Sequence, residues 1–375
     1  MTEKNLFLII DGIIFEKTPY GGIARIFTNI LPIMCDMDPE LKITLFLRND
    51  RYYNLPEHNQ ISTIFLSDVY KLRPWRLWKP YFKTIQNLLL RIRAGNTKNK
   101  IWLSTYFTRP PFNWQGKEVV WVFDMIYELF PEVMPNSTPT IIMKEKAINN
   151  ADEIFCISES TAVDLYQLYE KSKGKTNVLH LSHDDIFTVR SKNEIDHHIP
   201  YPFILYVGRR THYKDFDILL NAYSQWNRKG KIKLVAVGHS WSADEEKTID
   251  NLGLSNNIIL FEKISDDVLC DLYNQAKAFI YPSRYEGFGI PLLEAMACGC
   301  PVVASRIPST TEVAGNIPIY FEPSDSESLL DALNFLFSHN NLQERIDLGI
   351  EKAAEFTWEK TAKMFYSNLK TINAN

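Results

Sequence analysis

Several features are missing from this 375-residue chain, and each absence removes a class of protein. No stretch of about 18 uninterrupted apolar residues occurs, so no segment reads as a membrane-spanning helix. The opening residues, Met1-Thr-Glu-Lys-Asn-Leu-Phe-Leu-Ile-Ile10, lack a signal-peptide pattern, and their short apolar run reads as a first β-strand. Cysteine is scarce and odd in number: Cys35, Cys156, Cys270, Cys298 and Cys300 are scattered, mostly inside apolar runs. That argues against a disulfide frame or zinc site and for reduced core thiols in a cytoplasmic protein. The dinucleotide fingerprint G-x-G-x-x-G is absent, as are short repeats and low-complexity tracts. His180, His183, His197 and His198 have no convincing carboxylate or cysteine partners for a metal. Asp36 with Asp38, and Asp215 with Asp217, read as capping or solvated acids and not as a metal-binding pair at a strand end.

Acidic residues are also missing from one long stretch. Between Val69 and Lys117 stand eleven Lys or Arg and no Asp or Glu, which in a chain of net charge −4 leaves −15 for the remainder. Within it Trp75, Trp78, Phe82, Ile85, Leu89 and Ile92 recur at three- and four-residue steps, with Arg76, Lys79, Lys83 and Arg91 mostly on other faces. The pattern predicts a basic amphipathic helix with two readings. One is contact with an anionic membrane surface through residues 71–93; the other is a domain helix that packs its stripe into its own core. No nucleic-acid-binding motif accompanies the charge, so nucleic acid is not an expected partner.

What is present is a composition ordinary for a globular protein, 45% hydrophobic and 23% charged, at a length sufficient for two domains. Short apolar runs alternate with helical stretches through the first half, at about residues 6–10, 43–47, 61–66, 101–103, 119–123, 153–157 and 177–181. The polar stretch Arg190-Ser-Lys-Asn-Glu-Ile-Asp-His-His-Ile-Pro200 interrupts the pattern and reads as a linker. Alternation resumes with Phe203 to Gly208, Ile232 to Gly238 and Asn257 to Phe261. Two βα-alternating halves imply an α/β protein of two doubly wound domains with ligand between them. The expected divisions are 1–189, a linker at 190–200, a second domain at 201–357 and a final helix at 358–375.

The most informative segment follows the run Ala278-Phe-Ile-Tyr-Pro-Ser283. It reads Arg284-Tyr-Glu286-Gly-Phe-Gly-Ile-Pro-Leu-Leu-Glu294-Ala-Met-Ala-Cys-Gly299. The run predicts a buried strand, Gly287 and Gly289 a tight turn, Pro291 the first turn of a helix and Gly299 its end. A helix N-terminus above a parallel sheet offers N–H donors and a positive dipole end to an anion such as diphosphate. Glu286 on the loop and Glu294 inside the helix are then placed to hold polar groups on either side of it, one of them a vicinal diol such as ribose.

With this spacing the segment resembles the E-x7-E signature of glycosyltransferase family 4, retaining sugar transferases of the GT-B fold. The likeness continues through Pro301-Val-Val-Ala-Ser305 and Glu312-Val-Ala-Gly315, covers nearly the whole chain, and is strongest from Phe203 to Trp358. It implies two Rossmann-like domains facing a central cleft, an N-terminal acceptor-side domain, a C-terminal nucleotide-sugar-binding domain, and a last helix that crosses back to the first. Phe203 to Gly208 is followed by Arg209, Arg210 and Lys214, similar to the family's Arg and Lys pair that neutralises a departing nucleoside diphosphate; either arginine fits the first role. The resemblance further assigns donor contacts to Gly22, Gly208, Lys263, Ile264, Glu286, Gly287, Phe288, Gly289, Ile290, Pro291, Leu292 and Glu294, with Glu286 at the sugar hydroxyls and Glu294 at the ribose.

Tyr20-Gly21-Gly22-Ile-Ala-Arg25 is similar to the family's Gly-Gly-Ile-Ser-Arg segment, although a plain tight turn reads equally from the residues. Val119-Val-Trp-Val-Phe123-Asp124 aligns with the place where relatives often carry His-Asp. Here Phe123 replaces the histidine, which leaves Asp124 or a neighbour as the catalytic candidate, while Asp124 reads equally well as a helix N-cap. Ser104-Thr-Tyr-Phe107 resembles another acceptor-side loop. Thr310-Thr311 stands where relatives often have Leu-Pro, a departure that touches none of the proposed groups.

The resemblance therefore predicts a hexosyltransferase that needs no metal or other cofactor. GDP-mannose is the leading donor, and a glycan or polyprenyl-diphosphate-linked oligosaccharide of surface polysaccharide synthesis is the acceptor. The expected location is cytoplasmic, peripheral at the inner face of the plasma membrane if the basic helix binds lipid. Two alternatives stand beside it: a non-hydrolysing UDP-sugar epimerase, and a catalytically weak transferase-like subunit of a synthase complex.

Overall fold

The computed structural model describes residues 5–48, 54–66, 81–111, 113–134, 136–338 and 342–374, without the side chains of Phe82 and Lys83. The chain forms two units. The first comprises residues 1–129, 136–181 and 358–375, and the second 130–135 and 182–357. Each is built on a wholly parallel sheet, as alternating strands and helices require.

In the first unit the strands are β1 (Phe7–Asp11), β2 (Lys42–Leu47), β3 (Ile61–Phe65), β4 (Ile101–Ser104), β5 (Lys117–Val122), β6 (Glu153–Cys156) and β7 (Thr176–Val178). Their spatial order is β3-β2-β1-β4-β5-β6-β7, so the order reverses between β1 and β4. Trp121 on β5 anchors the core. It meets Phe27, Phe123 and Phe155 at ring-centroid distances of 5.7, 5.9 and 5.9 Å. Phe365, on the last helix Trp358–Ala374, packs edge-on against Trp121 at 5.1 Å and Phe155 at 4.9 Å. Tyr366 Oη donates to Asp38 Oδ2 at 2.7 Å and Thr361 Oγ1 to the His180 carbonyl at 2.7 Å, so this helix is fastened to the first unit by packing and by hydrogen bonds.

The second unit has β8 (Phe203–Val207), β9 (Lys233–Val237), β10 (Ile258–Phe261), β11 (Phe279–Tyr281), β12 (Val302–Ser305) and β13 (Ile319–Phe321), in the order β10-β9-β8-β11-β12-β13. Here the reversal lies between β8 and β11, and ligands of doubly wound sheets bind above such a point, outside the carboxyl ends of the strands. The strands read as continuous apolar runs because both faces are covered; Ile204, Leu205, Leu234, Val235, Ala278, Phe279 and Ile280 have no exposed surface.

Two expectations need correction. The boundary lies at 181/182, not 189/190, and residues 190–200 are no free linker. Arg190 Nη1 pairs with Asp271 Oδ1 at 2.8 Å, the backbone N–H groups of Asp196 and His197 donate to Asp271 Oδ2, and Ile199 N–H donates to Gln275 Oε1 at 2.9 Å. The polar composition that suggested a solvated linker instead satisfies the carboxylate of Asp271, which is 1% exposed. Of the basic amphipathic pattern, residues 71–80 lie outside the described residues. The helix Phe82–Ala94 is described; it packs Leu90 and Ala94 with Ile9, Phe46 and Trp102 and also buries Gln86, whereas Ile92 is 65% exposed and not part of the packed stripe. Among the described residues no helix is long and apolar enough to cross a membrane.

Asp11 ends β1 beside β4 and is 7% exposed. Its carboxylate accepts from the Thr105 N–H at 2.9 Å, from Ser104 Oγ at 3.3 Å and from the Thr105 hydroxyl. Burial raises its pKa from 3.8 to about 7 against the lowering effect of those bonds. The folded protein therefore holds a proton that the unfolded chain has released, and the contribution of Asp11 to stability falls as pH rises from about 4 to 7. Denaturation at pH 5 and pH 8 should show Asp11→Asn gaining stability relative to the wild type at the higher pH; an equal difference at both would contradict this account.

Candidate functional site

The carboxyl ends of β8, β10 and β11 carry most of the residues singled out in the sequence. After β8, Gly208 takes φ +141, a conformation open to glycine, and its N–H bonds the Val237 carbonyl at 3.0 Å. The chain then makes a short turn at His212–Lys214 and enters the Phe216–Gln225 helix through Asp215 at φ +47. Such a backbone is costly for a non-glycine residue and must be held by its surroundings. Asp215 accepts from Ser324 Oγ at 2.7 Å and forms an ion pair with Arg284 Nε at 3.0 Å, and the Arg284 N–H bonds the Tyr213 carbonyl at 2.8 Å.

The clamped turn brings Lys214 to Glu286. Lys214 Nζ donates to both carboxylate oxygens, at 2.6 and 2.7 Å, and Ser283 Oγ donates to Glu286 Oε1 at 2.6 Å. Glu286 is 8% exposed, so these partners compensate the desolvation of its charge. Tyr281, buried beneath, has its hydroxyl pKa pushed well above 10 by burial and by the Glu286 charge. The loop continues through Gly287 and Phe288, the latter packed edge-on against Phe356 at 5.8 Å. Gly289, at φ +119, caps the helix Ile290–Ala297, with Pro291 in the first turn as its missing N–H allows. Gly299, at φ +68, follows that helix. Glu294 lies inside it, 4% exposed, and its Oε2 accepts from Tyr273 Oη at 3.1 Å. Lys263 and Ile264 follow β10, Lys263 being exposed and at φ +51. Among the described residues no group of three or more His, Cys, Asp or Glu is arranged to hold a metal ion.

Arg210 is not part of this cluster. Its Nε donates to Glu245 Oε1 at 2.6 Å and its Nη2 to the carbonyls of His239 and Ser240, while its guanidinium lies over the Trp241 ring at 4.3 Å. Burial opposes ionisation of Glu245, but Arg210 and the Ser242 cap outweigh it and hold the carboxyl below its ordinary value. A Cβ at Gly238 would come within 2.7 Å of Arg210 Nη1, so the glycine that ends β9 makes room for this fold-back. Of the two arginines the resemblance offers for the phosphates, Arg210 has a side chain 4% exposed that is held by this packing, whereas its neighbour Arg209 is exposed.

Gly22 and Asp124 belong to the first unit. Gly22 opens the helix Gly22–Met37, and a Cβ there would meet nothing within 4 Å. Asp124 Oδ1 accepts from the Ile126 N–H at 3.1 Å, and Lys144 Nζ donates to the Asp124 carbonyl at 2.6 Å. The helix-capping reading of Asp124 is therefore the one the geometry supplies. Phe123, in the place of the relatives' histidine, is 6% exposed and packs on Trp121 and Phe27. Ser283, Tyr273, Arg284 and Asp215 were not singled out as site residues in the sequence. Only the three-residue step from Ser283 to Glu286 carries a local signal, since the others meet their partners through the tertiary fold.

A family model described as Glycosyl transferases group 1 matches residues 189–352, the stretch that holds this cluster. Over that stretch the chain is similar to the glycosyl transferases group 1 family. Over 177 residues it is 31% identical to the O-antigen chain mannosyltransferase B of Escherichia coli, covering 46% of this chain and 45% of that protein. It is 23% identical over 300 residues to the O-antigen chain mannosyltransferase RfbU of Salmonella typhimurium, covering 78% and 81%. The matched stretches span less than half the length of the first curated relatives, 45% and 30%. Among solved structures, sucrose-phosphate synthase from Thermosynechococcus elongatus superposes with a TM-score of 0.77 at 18% identity, over 98% of this chain and 99% of that one. WaaG, a glycosyltransferase involved in lipopolysaccharide biosynthesis, gives 0.72 at 13% identity over 97% and 99%. The fold is GT-B, with two Rossmann-like units.

The two arginines that follow β8 should separate experimentally. Arg210→Met removes a buried ion pair and should cost about 1–3 kcal/mol in chemical denaturation, whereas Arg209→Met should stay within about 0.5 kcal/mol of the wild type. The reverse order would refute this division of roles.

Proposed function

We propose that the protein is a retaining glycosyltransferase that moves a hexosyl group from a nucleoside-diphosphate sugar, with GDP-mannose the leading donor, to a glycan or polyprenyl-diphosphate-linked acceptor in surface polysaccharide synthesis. The observation that carries this reading is the Lys214–Glu286 pair, held at 2.6 Å beside a glycine turn and a helix N-terminus at the switch point of the second sheet. The mannosyltransferase names among the relatives favour the choice of sugar.

In this reading Lys214, the exposed Arg209 and backbone N–H groups between Gly287 and Leu292 receive the diphosphate, whose negative charge grows as its bond to the sugar C1 breaks. The acceptor oxygen bonds C1 on the same face, and its proton passes to the departing phosphate oxygen, so no protein nucleophile is required. Glu286 meets the sugar hydroxyls and Glu294 the ribose diol, with the base beside Lys263 and Ile264. The donor binds without a resident metal. Contact with anionic lipid through residues 71–93 would bring the enzyme to a membrane-embedded acceptor.

Thermal melts with GDP, UDP, dTDP and ADP should show the largest shift with GDP, and a larger shift with UDP would reassign the donor class. Lys214→Met should lower sugar transfer by about two to three orders of magnitude; retained turnover would remove Lys214 from the leaving-group role. Vesicles rich in anionic phospholipid should recruit the protein at low salt and release it at high salt, and a failure to sediment with them ends the membrane assignment.

A further inference from the structure

The proposed ribose contact leaves a physical problem, because the Glu294 side chain must keep one rotamer in a nearly closed space, 4% exposed, before any ligand arrives. A carboxylate free to turn would spend part of its binding energy on being ordered. The hydroxyl of Tyr273 addresses this. Tyr273 sits near the end of the helix Asp266–Gln275, has no exposed surface, and donates from Oη to Glu294 Oε2 at 3.1 Å across two helices that are separate in sequence. Its ring is fixed on two sides, edge-on to Phe279 of β11 at 5.4 Å and to Phe187 at 6.0 Å. The hydroxyl is therefore presented by a rigid aromatic frame and not by a mobile chain. Burial and the nearby Glu294 charge push its pKa well above 10, so it remains a donor at all working pH values.

We infer that Tyr273 is a positioning residue, which fixes the orientation of the Glu294 carboxylate toward a ribose diol. The hydroxyl touches neither donor nor acceptor sugar and acts through Glu294 alone. This rests on the ribose role proposed above for Glu294, and the experiment separates the two.

Dissociation constants of GDP, UDP and their 2′,3′-dideoxy forms are measured by calorimetry for the wild type, Tyr273→Phe, Glu294→Gln and the double variant, with a melt of each protein. The phenylalanine keeps the ring and removes one oxygen. The wild type should prefer the ribo form, and Tyr273→Phe should weaken ribo binding about tenfold while dideoxy binding stays within about twofold. The double variant should bind no more weakly than Glu294→Gln, because both substitutions act on one contact. Equal affinity of the wild type for ribo and dideoxy forms overturns the ribose role of Glu294 and this inference with it. A preference lost in Glu294→Gln but intact in Tyr273→Phe overturns the inference alone. Parallel loss of dideoxy affinity in Tyr273→Phe also overturns it, since that marks a purely structural role.

Discussion

The second unit is organised around a carboxylate that is nearly out of water. Glu286 is 8% exposed, and an ionised group there is tolerated only with compensating bonds. Lys214 supplies two and Ser283 one, and these bonds tie the segment after β8 to the loop after β11. The demand propagates outward. Lys214 arrives in register only because Asp215 adopts a positive φ, and Asp215 is held there by Ser324 and Arg284. Arg284 stands two residues before Glu286, so the loop that carries the acid also clamps the turn that carries its base. Removal of either charge would strand the other in a poorly solvated place.

Adjacent basic residues in one loop have acquired different work. Arg210 turns back onto Trp241 and Glu245, where its planar guanidinium stacks and bonds at once. Glu245 divides its oxygens between Arg210 Nε and the Ser242 N–H, so the helix Ala243–Asn251 is capped and anchored to the β8 loop by a single side chain. Arg209 is left at the surface with its carbonyl bound by Tyr206 Oη at 2.6 Å. The loop backbone is thus fixed while the Arg209 side chain stays exposed.

In the first unit the same economy produces different results. Lys144 has no exposed surface and joins Glu128 Oε2 at 3.0 Å, while Tyr169 Oη donates to Glu128 Oε1 at 3.0 Å. With Asp124 capping the short helix that follows β5, the 124–128 segment is locked by buried polar bonds, and Phe123 joins the aromatic core. A histidine at position 123 would bring ring nitrogens needing partners into a place now filled by Trp121 and Phe27.

The strand pattern, the glycine turn, the Pro291 start and the spacing of Glu286 and Glu294 are legible in the amino-acid order, because each depends on neighbours within one or two turns of chain. The α/β class, two units and parallel sheets follow from the alternation of such segments. Partner choice is another matter. Lys214 meets Glu286 across 72 residues, Arg210 meets Glu245 across 35, and Tyr273 meets Glu294 across 21. Nothing local distinguishes Arg209 from Arg210, or a linker of polar residues 190–200 from a strap around Asp271. These assignments are made by the order of strands in the sheet, which decides which buried charges come within hydrogen-bond reach and therefore which side chains are left to face a ligand.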